Sequence, residues 1–159
     1  MGIRYTKELI ILVGIPCSGK STYTAKQQLS LLCQCISSVS RDRIREKYGK
    51  NQYTKASEDF VTRKFSDRVN NLLNRKAVCK IILDNTHCKE KYIDEIINRY
   101  ERIGVNIKIK FFDISLSKAH YRNVVRYFKT GKWIPIRIMN QMYKNYNKIN
   151  KSKYDKFKV

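Results

Sequence analysis

A nine-residue segment with two glycines constrains the fold of this chain more than any other feature. The segment, residues 14–22, reads GIPCSGKST and separates an apolar run at residues 9–13 from a stretch of helical spacing that starts at Lys20. Glycines allow successive backbone N–H groups to surround a phosphate, and the N-terminus of a following helix adds partial positive charge. The segment therefore predicts a strand, a phosphate-binding turn and a helix at the beginning of the domain.

This segment matches the P-loop pattern GxxxxGK[ST], in which each polar position has a defined part in binding a nucleotide. Lys20 is expected to reach the β- and γ-phosphates and to serve catalysis there, and Ser21 is expected to ligate Mg²⁺. We therefore predict Mg²⁺ and ATP, or another nucleoside triphosphate, as cofactors. The residues predicted to bind the nucleotide in this loop are Gly14, Pro16, Cys17, Ser18, Gly19, Lys20, Ser21 and Thr22.

Short apolar runs rich in β-branched residues alternate with longer segments of helical spacing, and this order predicts an α/β domain. Strands are predicted at residues 9–13, 36–39, 80–83 and 105–112. Helices are predicted at residues 20–32, 41–48, 55–75, 89–103, 116–128 and 136–149. Right-handed crossovers between parallel strands then give a three-layer α/β/α sandwich, with a mostly parallel sheet of about four or five strands.

Positive charge is concentrated toward the end of the chain. Lys and Arg number 34 against 13 Asp and Glu, and residues 114–154 hold ten of the basic residues and no acidic one. Such a field attracts polyanions, namely nucleic acid, nucleotides or an anionic membrane surface, although a biased composition would give a similar solvated surface. We predict one domain that contains the P-loop at residues 1–150 and a loose basic tail at residues 151–159.

The sequence argues against a membrane or secreted protein. No apolar run approaches the roughly 18 residues of a membrane-spanning helix, and the charged N-terminus does not fit a signal peptide. Reduced thiols are expected, because the five cysteines are odd in number and lack zinc-ligand spacing: Cys17, Cys33, Cys35, Cys79 and Cys88. We therefore expect a cytoplasmic protein, including the case of a viral or phage protein inside its host cell, and leave the oligomeric state open.

A P-loop fixes the nucleotide but leaves the phosphoryl acceptor open. Attack by water would make the chain an ATPase or GTPase, whereas attack by a substrate hydroxyl would make it a kinase. The sequence has no NKxD motif, which disfavours a GTPase. A kinase of this architecture needs a base near the acceptor, a cation on the acceptor side and a lid that carries arginine.

The acceptor side is predicted from the residues that follow the second strand. Asp42 lies at the carboxyl end of the sheet, beside the P-loop, where it could accept a hydroxyl proton. Arg45 follows three residues later on the same helix face and could hold a substrate phosphate. An aspartate at a helix start is also a common N-cap, but its position after the strand favours the catalytic interpretation.

A second set of polar residues follows the third strand, in the order Asp84, Asn85, Thr86 and His87. We interpret Asp84 as a Walker-B-like carboxylate that orients a magnesium-bound water or an acceptor-site arginine. His87 is a lone histidine in a loop, and we expect it to be a polar surface residue and not a ligand.

The lid is predicted in the basic third of the chain. Arg122 and Arg126 lie one helical turn apart, ahead of a loop that contains Gly131. Such a segment can close over ATP and neutralise the charge that develops on the γ-phosphoryl group. The alternatives are a basic amphipathic helix that closes on nothing and, for the interleaved aromatics, core packing in place of base stacking. These aromatics are Tyr121, Tyr127, Phe128 and Trp133.

Together these motifs resemble the 5′-kinase domain of the bacteriophage T4-type polynucleotide kinases, in the family's order and over residues 9–144. The resemblance rests on the P-loop, the RDxxR pattern at residues 41–45, the segment YTK at residues 53–55 with Glu58 and the pair at 61–62 behind it, Asp84, and the RNxxR pattern at residues 122–126. The order Asn85-Thr86 is the reverse of the one expected for the family. The chain also lacks the DxDGT motif of a phosphatase domain, so no chemistry at the 3′ end is implied.

The resemblance implies that the sandwich has the P-loop kinase fold and that residues 1–150 are a P-loop kinase domain. It also implies transfer of the γ-phosphoryl group of ATP to the 5′-hydroxyl end of DNA or RNA. It implies that Asp42 is the general base, that Lys20 and Arg126 act on the ATP phosphates, and that Arg122 binds the nucleotide with them. Substrate-binding residues are then Arg45, which would hold the neighbouring phosphate, Asp84 and Thr86. Two alternatives stay open: a P-loop kinase of a small metabolite or nucleoside, and a nucleic-acid-binding module with a vestigial nucleotide site.

Overall fold

The computed structural model describes residues 7–29, 35–50 and 52–159, which build an α/β/α sandwich around a four-stranded parallel sheet. The strands are β1 (Glu8–Val13), β2 (Ile36–Val39), β3 (Lys80–Leu83) and β4 (Asn106–Phe111), in the spatial order β2-β3-β1-β4. The predicted P-loop kinase fold is confirmed. All four strands lie where the apolar runs predict them, within a residue or two at each end.

The six α-helices found within the described residues also match their predicted positions. They are α1 (Lys20–Leu29), α2 (Arg41–Lys47), α3 (Lys55–Asn74), α4 (Glu90–Glu101), α5 (Leu116–Thr130) and α6 (Ile136–Asn147). The predicted last residues of the first helix, 30–32, lie outside the described residues. No helix of the described residues is long and apolar enough to cross a membrane.

The central strand β1 is buried on both faces, which is why it reads as an uninterrupted apolar run. Leu9, Ile11 and Val13 face the larger apolar cluster, whereas Ile10 and Leu12 face a smaller one. β1 pairs with β3 on one side and β4 on the other, all in parallel register. The carboxyl ends of the strands therefore meet at one edge, and ligands of open α/β sheets bind in the crevice at that edge.

The cysteines depart from the sequence prediction. Cys35 and Cys79 form a disulfide, with their Cα atoms 5.2 Å apart, so the expectation of reduced thiols is wrong for this pair. The parallel register explains the pairing: each cysteine immediately precedes its strand, and Ile36 of β2 lies beside Lys80 of β3. A sequence separation of 44 residues gives no hint of this proximity. Cys17 and Cys88 are free, and Cys33 lies outside the described residues.

The C-terminal residues also depart from the prediction, because they are packed and not loose. Residues Lys151–Phe157 form a 3₁₀ helix whose Tyr154 and Phe157 side chains are buried against the core. The Tyr154 hydroxyl donates to Asp94 Oδ1 of α4 at 2.8 Å, and Lys158 makes a parallel bridge to Ile109 of β4. Two aromatic anchors outweigh the solubility of the lysines in this segment, because burial of apolar area drives packing.

Candidate active site

The P-loop joins the end of β1 to the start of α1 and has a backbone that side chains would disturb. A Cβ atom on Gly14 would lie 2.8 Å from Ser18 Oγ and 2.9 Å from Phe112 Cβ, so only glycine fits there. Gly19 has φ of 106°, in the region where other residues are strained. These two positions are the glycines of the motif, and the described turn is the phosphate cradle that the sequence predicts.

Cys17, in the middle of the same loop, adopts a left-handed backbone conformation with φ of 63°. A non-glycine residue in this region costs free energy and is held there only by its surroundings. One such contact comes from the lid: Arg122 donates from Nη1 to the Cys17 carbonyl at 3.1 Å. The predicted nucleotide ligand Arg122 is thus in contact with the P-loop.

Lys20 opens α1 and folds back over the loop that precedes it. Its Nζ donates to the carbonyls of Gly14 and Ile15 at 2.8 and 2.6 Å, and the side chain is almost completely buried. Burial lowers the pKa of Lys20 to about 8, opposed by the nearby groups of Cys88, Asp84 and Asp42. Phosphate oxygens are stronger acceptors than these carbonyls, so the ammonium is placed to exchange one set of partners for the other.

Ser21 is the predicted protein ligand of Mg²⁺, and the donor set of the described residues fits that ion. The Ser21 residue is exposed beside Lys20. No group of three or more His, Cys, Asp or Glu side chains within the described residues could hold a metal ion by itself. Mg²⁺ in nucleotide sites is characteristically held by one or two protein oxygens together with substrate phosphates and water, so a single hydroxyl is sufficient here.

The loop after β3 supports the P-loop through two hydrogen bonds, which we call the brace. The Gly14 N–H donates to the Thr86 carbonyl at 3.1 Å, and His87 Nδ1 lies 2.9 Å from the Leu12 carbonyl, to which it donates. His87 is buried with φ of 38°, so the expectation of a surface residue is wrong. Burial is the main cause that lowers the pKa of His87 to about 4; the Lys20 and Arg41 charges act in the same direction, and the hydrogen bond to Leu12 opposes them. The imidazole is therefore a neutral structural donor.

The same loop connects the P-loop to α2. Asn85 Oδ1 accepts a hydrogen bond from the Arg41 N–H at 2.9 Å, which fixes the first turn of α2 beside β3. Asp84 is partly buried at the end of β3, and its negative charge acts on Lys20. Thr86, predicted to bind substrate, contributes its backbone carbonyl to the brace of Gly14. The structure brings Asp84 close to Lys20 of the P-loop, and substrate binding by Thr86 stays a prediction.

On α2 the structure brings Asp42 and Arg45 together with a third residue, Glu58 of α3. Arg45 Nη1 lies 2.8 Å from Asp42 Oδ1, while Nε and Nη2 donate to the Glu58 carboxylate at 2.8–3.0 Å. Arg45 is almost fully buried, whereas 75% of the Asp42 side chain is exposed. The Asp42 carboxylate is thus open to solvent and close enough for its charge to act on Lys20, and the N-cap position belongs to Ser40.

Glu58 orients two arginines at once. Besides Arg45, it accepts from Arg41 Nη2 at 3.0 Å. Burial opposes ionisation of Glu58, but the hydrogen bonds from Arg45 and Arg41 outweigh it and hold the pKa of the carboxyl below its usual value. Thr54 sets the start of α3 by accepting from the Ser57 N–H, which places Glu58 in the first turn. The sequence singled out Glu58 only as part of a family pattern.

The lid consists of α5, the turn at Gly131 and the loop that follows. Asn123 holds this loop: its amide donates to the Ile134 carbonyl at 2.8 Å and accepts from the Ile134 N–H at 3.2 Å. Asn123 is fully buried, and sequence reasoning assigned it no role. Its position between Arg122 and Arg126 was the available signal. Arg126, the predicted catalytic arginine, is partly buried. A hydrogen bond from Lys132 holds the pKa of the Glu46 carboxyl of α2 below its usual value, and the nearby Arg126 charge lowers it further.

The four aromatic side chains of the lid are exposed, which excludes core packing as their explanation. Tyr121 is 70% and Phe128 82% exposed, and Tyr127 packs edge-on against both Phe128 and Trp133. Lys132 of the same segment forms an ion pair with Glu46 of α2, so the lid reaches the acceptor side as well as the P-loop. The lid therefore contacts both the P-loop and α2, which carry the predicted nucleotide and acceptor sites.

Comparison with protein families gives a match over residues 9–149, to a family described as an AAA domain. The chain belongs to this AAA domain family. A comparison of the AAA domain with curated proteins gives no match.

Solved structures similar to this AAA domain include a chain described under "Structure of the Pnkp1/Rnl/Hen1 RNA repair complex", with a TM-score of 0.80 and 27% identity over 94% of this chain. A chain of a second Pnkp1/Rnl/Hen1 complex matches over 76% of this chain, with a TM-score of 0.64 and 24% identity. This chain covers 47% and 40% of those two, so it spans less than half their length.

A gluconokinase from Sinorhizobium meliloti also matches, with a TM-score of 0.59 and 15% identity over 98% of this chain and 82% of that one. At this identity the likeness shows the fold alone. The comparisons confirm the resemblance to the T4-type polynucleotide kinase domain at the level of family and P-loop kinase fold.

Proposed function

We propose that this chain transfers the γ-phosphoryl group of ATP to the 5′-hydroxyl end of a polynucleotide. The observation that carries the proposal is the group formed by Asp42, Arg45 and Glu58 at the sheet edge that also holds the P-loop. An exposed carboxylate stands there beside a buried arginine, which are the two groups that a hydroxyl flanked by a phosphodiester requires. The similarity to a chain described as part of an RNA repair complex supports a nucleic acid as the acceptor.

In the proposed reaction the acceptor 5′-oxygen attacks the γ-phosphorus, the bond from that phosphorus to the β,γ-bridging oxygen breaks, and ADP leaves. Asp42 accepts the hydroxyl proton as the new bond forms. Lys20 and Arg126 stabilise the negative charge on the transferring group, with Arg122 beside them on the P-loop. Mg²⁺, held by Ser21 and the ATP phosphates, would supply further charge neutralisation when bound.

Arg45 is proposed to hold the phosphate next to the acceptor nucleotide. A guanidinium has five N–H donors, and the contacts to Glu58 and Asp42 use Nε, Nη1 and Nη2 but leave at least one N–H on Nη1 free for another acceptor. The carboxylates thereby orient Arg45 before substrate arrives, and preorganised donors lose less free energy on binding. Asp84 is proposed to support the acceptor site from the end of β3.

The test is an acceptor panel with γ-labelled ATP and Mg²⁺. A 5′-hydroxyl oligonucleotide should become labelled, whereas gluconate, adenosine and the same oligonucleotide with a 5′-phosphate should not. The two small molecules represent the alternative of a metabolite or nucleoside kinase on the same fold. Label on gluconate or adenosine, with none on the oligonucleotide, would contradict the proposal.

A further inference from the structure

A groove of about 700 Å³ lies beside the acceptor side, between α2, α3 and the carboxyl end of the edge strand β2. We name it the α2–α3 groove. Its walls include Arg43 and Lys47 of α2, and Lys64 and Arg68 of α3, with Asp67 as the one acidic residue among those that line it. The groove therefore carries a net positive charge of three, which complements a polyanion.

One end of the groove also offers an aromatic surface. Tyr48 lines the groove, is 43% exposed and packs edge-on against Phe60 with ring centroids 5.4 Å apart. The ammonium groups of Lys47 and Lys64 lie 5.5 and 5.9 Å from the centre of the Tyr48 ring. A partly exposed ring bordered by cations is the combination on which single-stranded nucleic acids stack a base and neutralise a phosphate.

The position of the groove connects it with the proposed chemistry. Asp42 and Arg45 lie on the face of α2 that meets Glu58, and Arg43 and Lys47 lie on the face that lines the groove. Asp42 and Arg43 are consecutive on a helix only about 10–12 Å across, so a strand whose end reaches Asp42 can pass around α2 into the groove. A free metabolite would have no chain to place there.

We propose that the α2–α3 groove binds the sugar-phosphate backbone of the single-stranded acceptor, on the 3′ side of the nucleotide that is phosphorylated. This inference rests on the proposed function and adds to it a site for the length of the polynucleotide. Lys64 and Arg68, one helical turn apart on α3, bind its phosphates, and Tyr48 stacks against one of its bases. Long acceptors therefore gain affinity that a dinucleotide lacks.

The test compares the double variant Lys64→Ala/Arg68→Ala with wild type on 5′-hydroxyl acceptors of two and of twelve nucleotides, each as RNA and as DNA. The Michaelis constant for the 12-mer should rise about tenfold, while that for the dinucleotide and both kcat values stay the same. The slope of log affinity against log salt for the 12-mer should fall by about 1.4, since each lost contact to a single strand contributes about 0.7. The comparison of RNA with DNA acceptors shows which of the two sugar-phosphate backbones the groove binds.

The matched control is Lys91→Ala/Arg102→Ala, which removes the same charge from exposed positions of α4 and its C-terminal end. It should leave the 12-mer constant unchanged. The groove proposal would be overturned if the Michaelis constant for the 12-mer is unchanged in the groove variant, or rises equally in the α4 variant; the kinase proposal would stay intact. If polyglutamate competes with the 12-mer as strongly as an unlabelled oligonucleotide does, the groove is a general anion-binding surface and the proposal is overturned too. A wild-type protein inactive on both acceptor lengths would instead overturn the proposed function.

Discussion

Arg45 and Arg126 are both proposed to act on phosphates, but the structure holds them in opposite ways. Arg45 is 8% exposed and its guanidinium is bound by the carboxylates of Glu58 and Asp42. Arg126 lies on the lid helix and forms no ion pair within the part of the chain that the structure describes. The acceptor side is thus organised by its own charges, whereas the lid keeps its charge available.

The difference fits the two tasks. An acceptor has to be positioned for in-line attack, and a fixed arginine provides that geometry in advance. The charge that Arg126 would meet develops only as the phosphoryl group transfers, so an arginine without a carboxylate partner interacts with it more strongly. Other contacts hold the lid in place. Asn123 hydrogen-bonds the loop after α5. Arg122 contacts the Cys17 carbonyl, and Lys132 forms an ion pair with Glu46.

The largest expected effect is therefore on the lid. Arg126→Ala should lower the rate of phosphoryl transfer by about 10³ to 10⁵, the range for a transition-state arginine, without changing stability by more than about 0.5 kcal/mol. Single-turnover transfer to a 5′-hydroxyl oligonucleotide measures the first quantity and urea unfolding the second. Arg137→Ala, an exposed arginine of α6, is the matched control. A loss below tenfold would remove Arg126 from the catalytic group.

On the acceptor side, Asp42→Asn and Asp42→Ala should each lower transfer by about 10² to 10⁴, because the proton loses its acceptor. The Asp42 side chain is 75% exposed, so neither change should disturb the fold or the binding of ATP. Calorimetric titration with a non-hydrolysable ATP analogue tests that second expectation. Turnover like that of the wild type in the asparagine variant would contradict the role of Asp42 as base.

The hydrogen bond from His87 to the Leu12 carbonyl supports the P-loop from a fixed position, and the pH dependence of stability tests its contribution. The pKa of His87 falls from 6.5 to about 4 on folding, so below pH 6.5 the unfolded chain binds a proton that the folded chain excludes. The contribution of neutral His87 to the free energy of unfolding is fully present above pH 6.5 and is lost as the pH falls toward 4. At about 1.36 kcal/mol per pKa unit, the loss between about pH 7 and pH 5 is about 2 kcal/mol. Urea unfolding at both pH values measures it.

The variant His87→Asn keeps a residue that tolerates the left-handed backbone but does not titrate. It should remove this component of the pH dependence, although the protein is less stable at neutral pH. If His87→Asn and wild type lose the same free energy between the two pH values, the acid sensitivity comes from other groups.

The ion pair of Glu58 on the acceptor side is more buried than the ion pair of Glu46 with the lid. The two glutamates should therefore contribute differently to the free energy of unfolding. Glu58→Gln leaves Arg45 buried without its main carboxylate partner, and should cost about 1–3 kcal/mol of stability. Glu46→Gln breaks the exposed ion pair to Lys132 and should cost less than about 1 kcal/mol. Equal losses in denaturant unfolding would contradict the difference between the two sides. Glu58→Gln should also raise the Michaelis constant of the oligonucleotide acceptor.

Much of the sheet could be predicted because β1 and β3 are buried on both faces and therefore appear as plain apolar runs. The P-loop and the position of Asp42 after β2 were predictable because each depends on a local pattern beside a strand. His87 and Asn123 were not assigned their roles because each acts through a backbone group of another segment, Leu12 and Ile134 respectively. The Cys35–Cys79 disulfide follows from strand order, which no single segment contains.

The position of the label shows whether a polynucleotide end is the acceptor. A 5′-hydroxyl 12-mer is incubated with γ-labelled ATP and Mg²⁺, and the product is digested to mononucleotides. We expect all label to be recovered in the 5′-terminal nucleotide as its 5′-phosphate, and Asp42→Asn to lower its rate of appearance by about 10² to 10⁴. Label released as inorganic phosphate at the same rate with and without the 12-mer, and none on its 5′ end, would show that a polynucleotide end is not the acceptor.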